Sequence, residues 1–331
     1  MVTACEDRKG PAVLGMVFDP GIVDVGRAWA DLRREPVPSP LLSMLTFLES
    51  GDEGLQLLDK FAAELMQRGV EPYLLNNPRL LAPLPRPKSI RDCMAFPEHL
   101  LQSTRGGATL LYPAVGKFDH FLTRIFGRGF LSVPGQYYKM PVYYKGNPAS
   151  VIGPDETILW PSYTRLLDYE LEFGVFINRM GRDIPERDAD SYIGGYTIFN
   201  DVSARDTQLE EMKLRLGPAK GKDFDTGNVM GPWLVTPDEV GDPYQLAMSA
   251  RVDGEVWSQN TSAGMAFSFA EIISYISRSE TLYPGDFIGA GTVGGGCGLE
   301  HGRWLGPGQT IELSVERLGT LRSYVGQPSP R

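Results

Sequence analysis

The clearest hydrophobic pattern in the chain lies in DYELEFGVF, residues 168–176. Apolar side chains fall at Tyr169, Leu171, Phe173 and Val175 and continue at Ile177, with Asp168, Glu170 and Glu172 between them. A period of two is that of a β-strand, so the three acids share the face opposite the apolar one. Upstream, AVLGMVF reads as a short strand. LLSMLTFLES and GLQLLDKFAAELMQRG repeat apolar positions at three and four, which predicts helices, the second ending on Gly69. Four prolines between Pro78 and Pro87 make an extended connector and mark a domain boundary, giving residues 1–85 and 86–331.

Beyond the connector, SVIG, ETILW, YTIFNDVSARD, PWLVTPDEV and DFIGAGT read as strands. SARVDGEVW reads as a hairpin turning at Asp253-Gly254, and TIELSVERLGTLRSYV as a second hairpin. IPERDADSYIGG, TQLEEMKLRLG and FSFAEIISYISRS read as helices, and Gln102–Phe130 as a long glycine-punctuated loop. Many short strands with few helices predict an α+β, β-rich fold with a mixed, rolled sheet, not an alternating βαβ chain.

Neighbouring glutamates on one strand face need a reason. Two residues of strand span about 6.6 Å, so at an effective dielectric near 20 they repel by roughly 2.5 kcal/mol. Either the face is wet or a cation sits on it. Asp92 in IRDCMAFPEH and Asp201 in FNDVSARD are two more candidate acids, the second ending an apolar strand. With only three cysteines (Cys5, Cys93, Cys297) and three histidines in 331 residues, four carboxylates suit a hard ion, Mg²⁺ before Mn²⁺ or Ca²⁺. The bland alternative is surface acids plus an Asp201–Arg205 ion pair.

Composition narrows the partners. The net charge of −9, without a Lys/Arg run, argues against nucleic acid and anionic membrane surfaces. No stretch approaches the roughly 20 apolar residues of a membrane span, and the polar start is no signal peptide, so a cytoplasmic, reducing setting is expected. The sequon at Asn260 is then a chance match. Gly289, Gly291 and Gly294 satisfy G-x-G-x-x-G, but GGCGLEHGRWLGPG cannot supply the helix that a dinucleotide site needs.

IRDCMAFPEH, MPVYYKGNPAS, LLDYELEFGVFI, IFNDVSARD, LGPAKGKDFDT, GPWLVTPDEV, FSFAEIISYISRSETLYPGD and GAGTVGGGCGLE occur in an order that closely resembles the fumarylacetoacetate hydrolase family. The resemblance runs from about Ile90 to Leu321. It implies a mixed β-sandwich roll with a smaller N-terminal α/β segment, usually homodimeric, binding Mg²⁺ or Ca²⁺ and acting on small oxo-acids. The family's metal-ligand positions match Asp92, Glu170, Glu172 and Asp201. Its lysine matches Lys222, its water-activating histidine His99, and the acid orienting that histidine Glu300; the substrate-contact positions match Tyr144, Gln208 and Thr292.

The resemblance implies hydrolysis of a carbon–carbon bond in a 1,3-dioxo acid of the acylpyruvate or fumarylacetoacetate kind. Its rivals are decarboxylation, hydration or isomerisation of a 2-oxo acid on the same metal site, and a catalytically idle ligand-binding protein. Met94 and Met212 replace tyrosines of the fumarylacetoacetate-cleaving members, and Val202 interrupts the usual NDWSARD. Decarboxylating members resemble one another in placing a glutamate three residues after the histidine; here that residue is Gln102. The segment Gln102–Phe130 resembles a lid.

Overall fold

The computed structural model describes residues 1–6 and 10–328. Leu171–Ile177 lies at the middle of a sheet that has seven strands among the described residues. Its order is Tyr143–Gly146, Ser89–Cys93, Asp286–Gly289, Leu171–Ile177, Ile193–Asp201, Asn228–Val235 and Val151–Ile152. A second sheet runs Glu255–Thr261, Ala247–Val252, Thr310–Val315, Gly319–Pro328, Thr157–Trp160. Both close on one core, where Phe173, Val175, Ile198, Ala250, Leu313 and Leu321 meet. The helix Phe269–Ile276 fills it: Phe269 stands edge-on to Phe173 and Tyr196, and Ser268 and Glu271 cap its first turn reciprocally. A fully buried phenylalanine there contributes about 1.5–3 kcal/mol.

The other face of the large sheet changes character along its strands. Register sets Ile90 beside Phe287, Phe287 beside Phe176, and Glu172 beside Phe199. Two residues further along the same strands the face carries Asp92, Gly289, Gly174 and Asp201. One end is therefore apolar and the other acidic. The apolar end is covered by the N-terminal unit, whose Phe47, Leu48 and Phe61 join Phe176, Phe199 and Phe287 in one cluster.

That unit holds a sheet of Gly21–Asp24, Val13–Phe18, Val2–Glu6 and Pro78–Leu80. Its long helix Met44–Arg68 begins on a Ser43–Thr46 capping box, is interrupted at Gly51 and ends at Gly69, where φ is 91°. Two features depart from the sequence expectation. The head of the proline-rich connector is a strand, because Pro78–Leu80 pairs with Val2–Glu6. The expected loop Gln102–Phe130 is largely two helices, Pro97–Leu111 and Pro113–Phe126. Gly127 does end the second helix in the left-handed region, but Gly106 and Gly116 inside the helices are there for close packing. A Cβ on Gly106 would lie 2.4 Å from the Leu299 carbonyl oxygen, and one on Gly116 would lie 2.3 Å from Thr109 Oγ1. Among the described residues no helix is long and apolar enough to cross a membrane.

Candidate metal centre and catalytic dyad

The acidic end of the sheet is dry. Asp92, Glu170, Glu172 and Asp201 are all buried, which disposes of a wet strand face. Ligand oxygens of Asp92, Glu172 and Asp201 lie within 4.8 Å of one another. Gly289 makes the convergence possible: a Cβ there would come 2.2 Å from Asp92 Oδ1. Tyr144 donates to Asp201 Oδ2 (2.8 Å) and Thr292 donates to Glu172 Oε1 (2.9 Å). Three oxygens remain buried without a partner: Asp92 Oδ1, Glu172 Oε2 and Asp201 Oδ1. Burial and then mutual repulsion push Asp92 and Glu172 well above the usual carboxylate range. Burial pushes Asp201 to about 6 despite Lys222. Orphaned hard oxygens in a strongly anionic pocket fit a divalent cation in donor type and number.

Glu170 has a different setting. Its carboxylate accepts from Arg205 Nη2 at 2.7 Å and from Lys222 Nζ. Burial would raise its pKa, but Arg205 and Lys222 outweigh burial and hold it well below the usual value. The structure thus places Glu170 beside the three-acid cluster with both oxygens engaged by cations. Lys222 also donates to Asp201 Oδ2 (2.5 Å) and to the Asp201 carbonyl (3.3 Å), so its three N–H groups are committed. It is 3% exposed, not a solvated lysine beside Asp223.

Lys222 is delivered by the GPAKG turn. Glu211 accepts from the backbone N–H groups of Ala219, Lys220 and Gly221 at 3.0, 2.8 and 3.0 Å. Gly221 passes so close to the helix Arg205–Met212 that a Cβ would sit 2.6 Å from Gln208 Cβ. Gln208 itself accepts from Arg205 Nη1 (2.9 Å).

His99 stands in the first turn of Pro97–Leu111 and is buried. Its Nδ1 is hydrogen-bonded to Glu300 Oε1, and its Nε2 lies 4.0 Å from Glu170 Oε1. Glu300 belongs to the short helix Gly298–His301; burial raises its pKa against the pull of His99. The segment bearing it is pinned by Asp168, which accepts from the amides of Gly298 (2.7 Å) and Leu299 (3.0 Å) and from Arg205 Nε (2.7 Å). The E-x-E strand thereby indexes the dyad against the acid cluster.

Arg205, Asp168 and Asn200 are the parts that sequence reasoning left unassigned. Arg205 pairs with Asp168 and Glu170, not with Asp201. Asn200 accepts from the Glu170 amide (3.0 Å). All three sit inside the DYELE and NDVSARD motifs, so motif membership was the available signal. Glu98 is exposed and accepts from Gln102 Nε2 (2.9 Å).

A buried metal-competent acid cluster beside a carboxylate-oriented histidine, set on one end of a rolled sheet, defines the class of this protein. Residues 126–326 match the fumarylacetoacetate (FAA) hydrolase C-terminal family model. The chain belongs to the fumarylacetoacetate hydrolase family. Among similar proteins, the rat mitochondrial oxaloacetate tautomerase Fahd2a is 35% identical over 188 residues, 56% of this chain and 59% of that protein. A 2,4-didehydro-3-deoxy-L-rhamnonate hydrolase from Sphingomonas sp. is 39% identical over 189 residues, 56% of this chain and 65% of the other. Each match therefore spans less than two thirds of the relative's length. The solved fumarylacetoacetate hydrolase of Exiguobacterium antarcticum is similar in structure, with a TM-score of 0.68, 26% identity and 98% of each chain covered.

Proposed function

We propose that this protein is a divalent-metal-dependent hydrolase that cleaves a carbon–carbon bond in a small 1,3-dioxo acid of the acylpyruvate type. The observation that carries the reading is the buried His99–Glu300 pair beside three acids whose oxygens lack partners. Asp92, Glu172 and Asp201 would hold the ion, Mg²⁺ or else Mn²⁺ or Ca²⁺, with Glu170 beside them. When bound, the ion would supply Lewis-acid polarisation of the substrate's carbonyl groups.

The chain's own residues supply the proton chemistry. His99 Nε2 takes a proton from water as the water oxygen attacks the distal carbonyl. Glu300 at Nδ1 fixes the tautomer and stabilises the imidazolium. The bond between the attacked carbon and the central carbon breaks, its electron pair moves into the leaving enolate, and His99 returns its proton to the carbon. Lys222 contributes through its charge, since its donors are already engaged by Glu170 and Asp201.

A second reading is keto–enol proton transfer on oxaloacetate, favoured by the relationship to the rat tautomerase. The same dyad could move a proton between carbon and oxygen without water. Purified protein assayed with Mg²⁺ on acylpyruvates and on oxaloacetate separates the two. The proposal expects pyruvate and a carboxylic acid from acylpyruvates, and no turnover with excess chelator. Oxaloacetate enolisation with every acylpyruvate left intact would overturn it.

A further inference from the structure

Beside the cluster of hard oxygens lies a second set of a different chemistry. One ligand atom each of His99, Cys297 and Glu300 lies within 4.8 Å of the others. Cys297 is a free, fully buried thiol, and the Glu300 side chain is fully buried as well. Glu300 Oε1 is used on His99, and no hydrogen bond of ordinary length and angle reaches the buried Oε2, although the Gly295 amide is near enough to the carboxylate to lower its pKa. The backbone presenting Cys297 and Glu300 is fixed, with Cys297 bridged to Glu170 and the next two amides held by Asp168. The segment carrying Glu300 also borders a cavity of about 670 Å³, shared with Gln102, Arg105, His301 and Trp304.

One imidazole, one thiol and one carboxylate make three ligands with an open fourth position, the composition of a zinc site that keeps a water or a small ligand. The thiol is what separates this set from its neighbour. Soft sulfur selects Zn²⁺ over Mg²⁺, whereas three carboxylates favour hard ions. Tetrahedral closure on an ion, with bonds of about 2.0–2.3 Å, asks for a small rearrangement in which His99 and Glu300 part from their hydrogen bond and Cys297 closes in.

We propose that His99, Cys297 and Glu300 form an inhibitory site for a soft divalent cation, Zn²⁺ above all, separate from the hard-ion site. On binding, the hydrated ion loses water molecules, the Cys297 thiol releases its proton to solvent, the imidazole proton shifts from Nδ1 to Nε2, and the His99–Glu300 hydrogen bond is exchanged for bonds to the ion. No electron is transferred. The base is then occupied, so the enzyme is off while its Mg²⁺ site remains filled. The ion site stands on geometry alone, and the inhibition rests on the proposed role of His99.

The test uses the full chain with saturating Mg²⁺. Co²⁺, a spectroscopic stand-in for Zn²⁺, should give a near-ultraviolet sulfur-to-cobalt charge-transfer band in the wild type and in Cys93→Ser, and none in Cys297→Ser. If Cys297→Ser does not fold, His99→Ala must weaken the band instead. Losing even an outer-shell partner costs about 10–100-fold in metal affinity. Relative to its own zinc-free rate on an acylpyruvate, Cys297→Ser should therefore need at least about tenfold more Zn²⁺ for half-inhibition, and extra Mg²⁺ should not relieve the wild type. No band in the wild type, or a band that survives Cys297→Ser, overturns the site. A band with turnover undiminished upholds the site and overturns both the inhibition and His99 as the base.

Discussion

At the scale of single residues, the site is an exercise in charge held out of water. Asp92, Glu172 and Asp201 can share a dry pocket because Gly289 leaves room for Asp92, and because a cation would neutralise oxygens that are otherwise orphaned. Glu172→Gln removes one anion at almost constant volume. Mn²⁺ should then bind at least about tenfold more weakly by equilibrium dialysis, and the thermal stabilisation that excess metal gives the wild type should disappear. Undiminished Mn²⁺ binding in this variant would place the ion elsewhere. The residue types that form the pocket were readable from sequence, since four acids and almost no soft ligands narrow the choice of ion. The partner of Arg205 was not. Four residues after Asp201 it looks like that acid's local mate, yet strand pairing between Ser203 and Asp168 carries its guanidinium to Asp168 and Glu170.

At the scale of elements, period two in DYELEFGVF was enough to find the central strand, and Gly69 to end the long helix. The helix pair Pro97–Leu111 and Pro113–Phe126 was hidden because Gly106, Gly107 and Gly116 read as breakers. Their cost is accepted because Leu299, Leu209 and Thr109 press against them, which a single chain cannot announce. The second helix leaves Phe118, Phe121, Ile125 and Phe126 exposed, while the first carries His99. If the pair is a lid, trypsin should cut at Lys117, Arg124 or Arg128 more slowly with Mg²⁺ and a non-cleavable dioxo acid present than without them; equal rates would argue for a static cover.

The turn that delivers Lys222 makes a second element-scale prediction. Burial acts to raise the Glu211 pKa, but the amides of Ala219, Gly221 and Lys220 outweigh it and lower the value below 4.5. A depressed acid contributes its stabilisation in full above that ordinary value and loses it as pH falls through the depressed one. Amide-exchange protection at Ala219–Gly221, corrected for intrinsic rates, should therefore decline on acidification in this range. Glu211→Gln should show reduced protection already at neutral pH. A turn equally protected in both would mean that the carboxylate is not what holds it.

At the scale of the whole molecule, one sheet face does two jobs. Its apolar end anchors the N-terminal unit through Phe176, Phe199 and Phe287, and its acidic end forms the site. Sequence patterning identified the strands that carry Glu172, Asp201 and Gly289 but not Ser89–Cys93 or Tyr143–Gly146, and only register shows that Ile90 and Asp92, or Phe199 and Asp201, lie along one continuous surface. Function then depends on where the proton and the oxygen go. The most direct measurement is turnover of an acylpyruvate in heavy-oxygen water with saturating Mg²⁺, comparing wild type with His99→Ala and Glu300→Gln. Wild type should place one heavy oxygen in the carboxylate of the released acid and none in the keto group of freshly formed pyruvate beyond the exchange seen without enzyme. Removing the base or its partner should lower the rate by roughly 10²–10⁴-fold. An intact carbon skeleton with no label in any carboxylate, or full turnover without His99, would contradict water attack by this dyad.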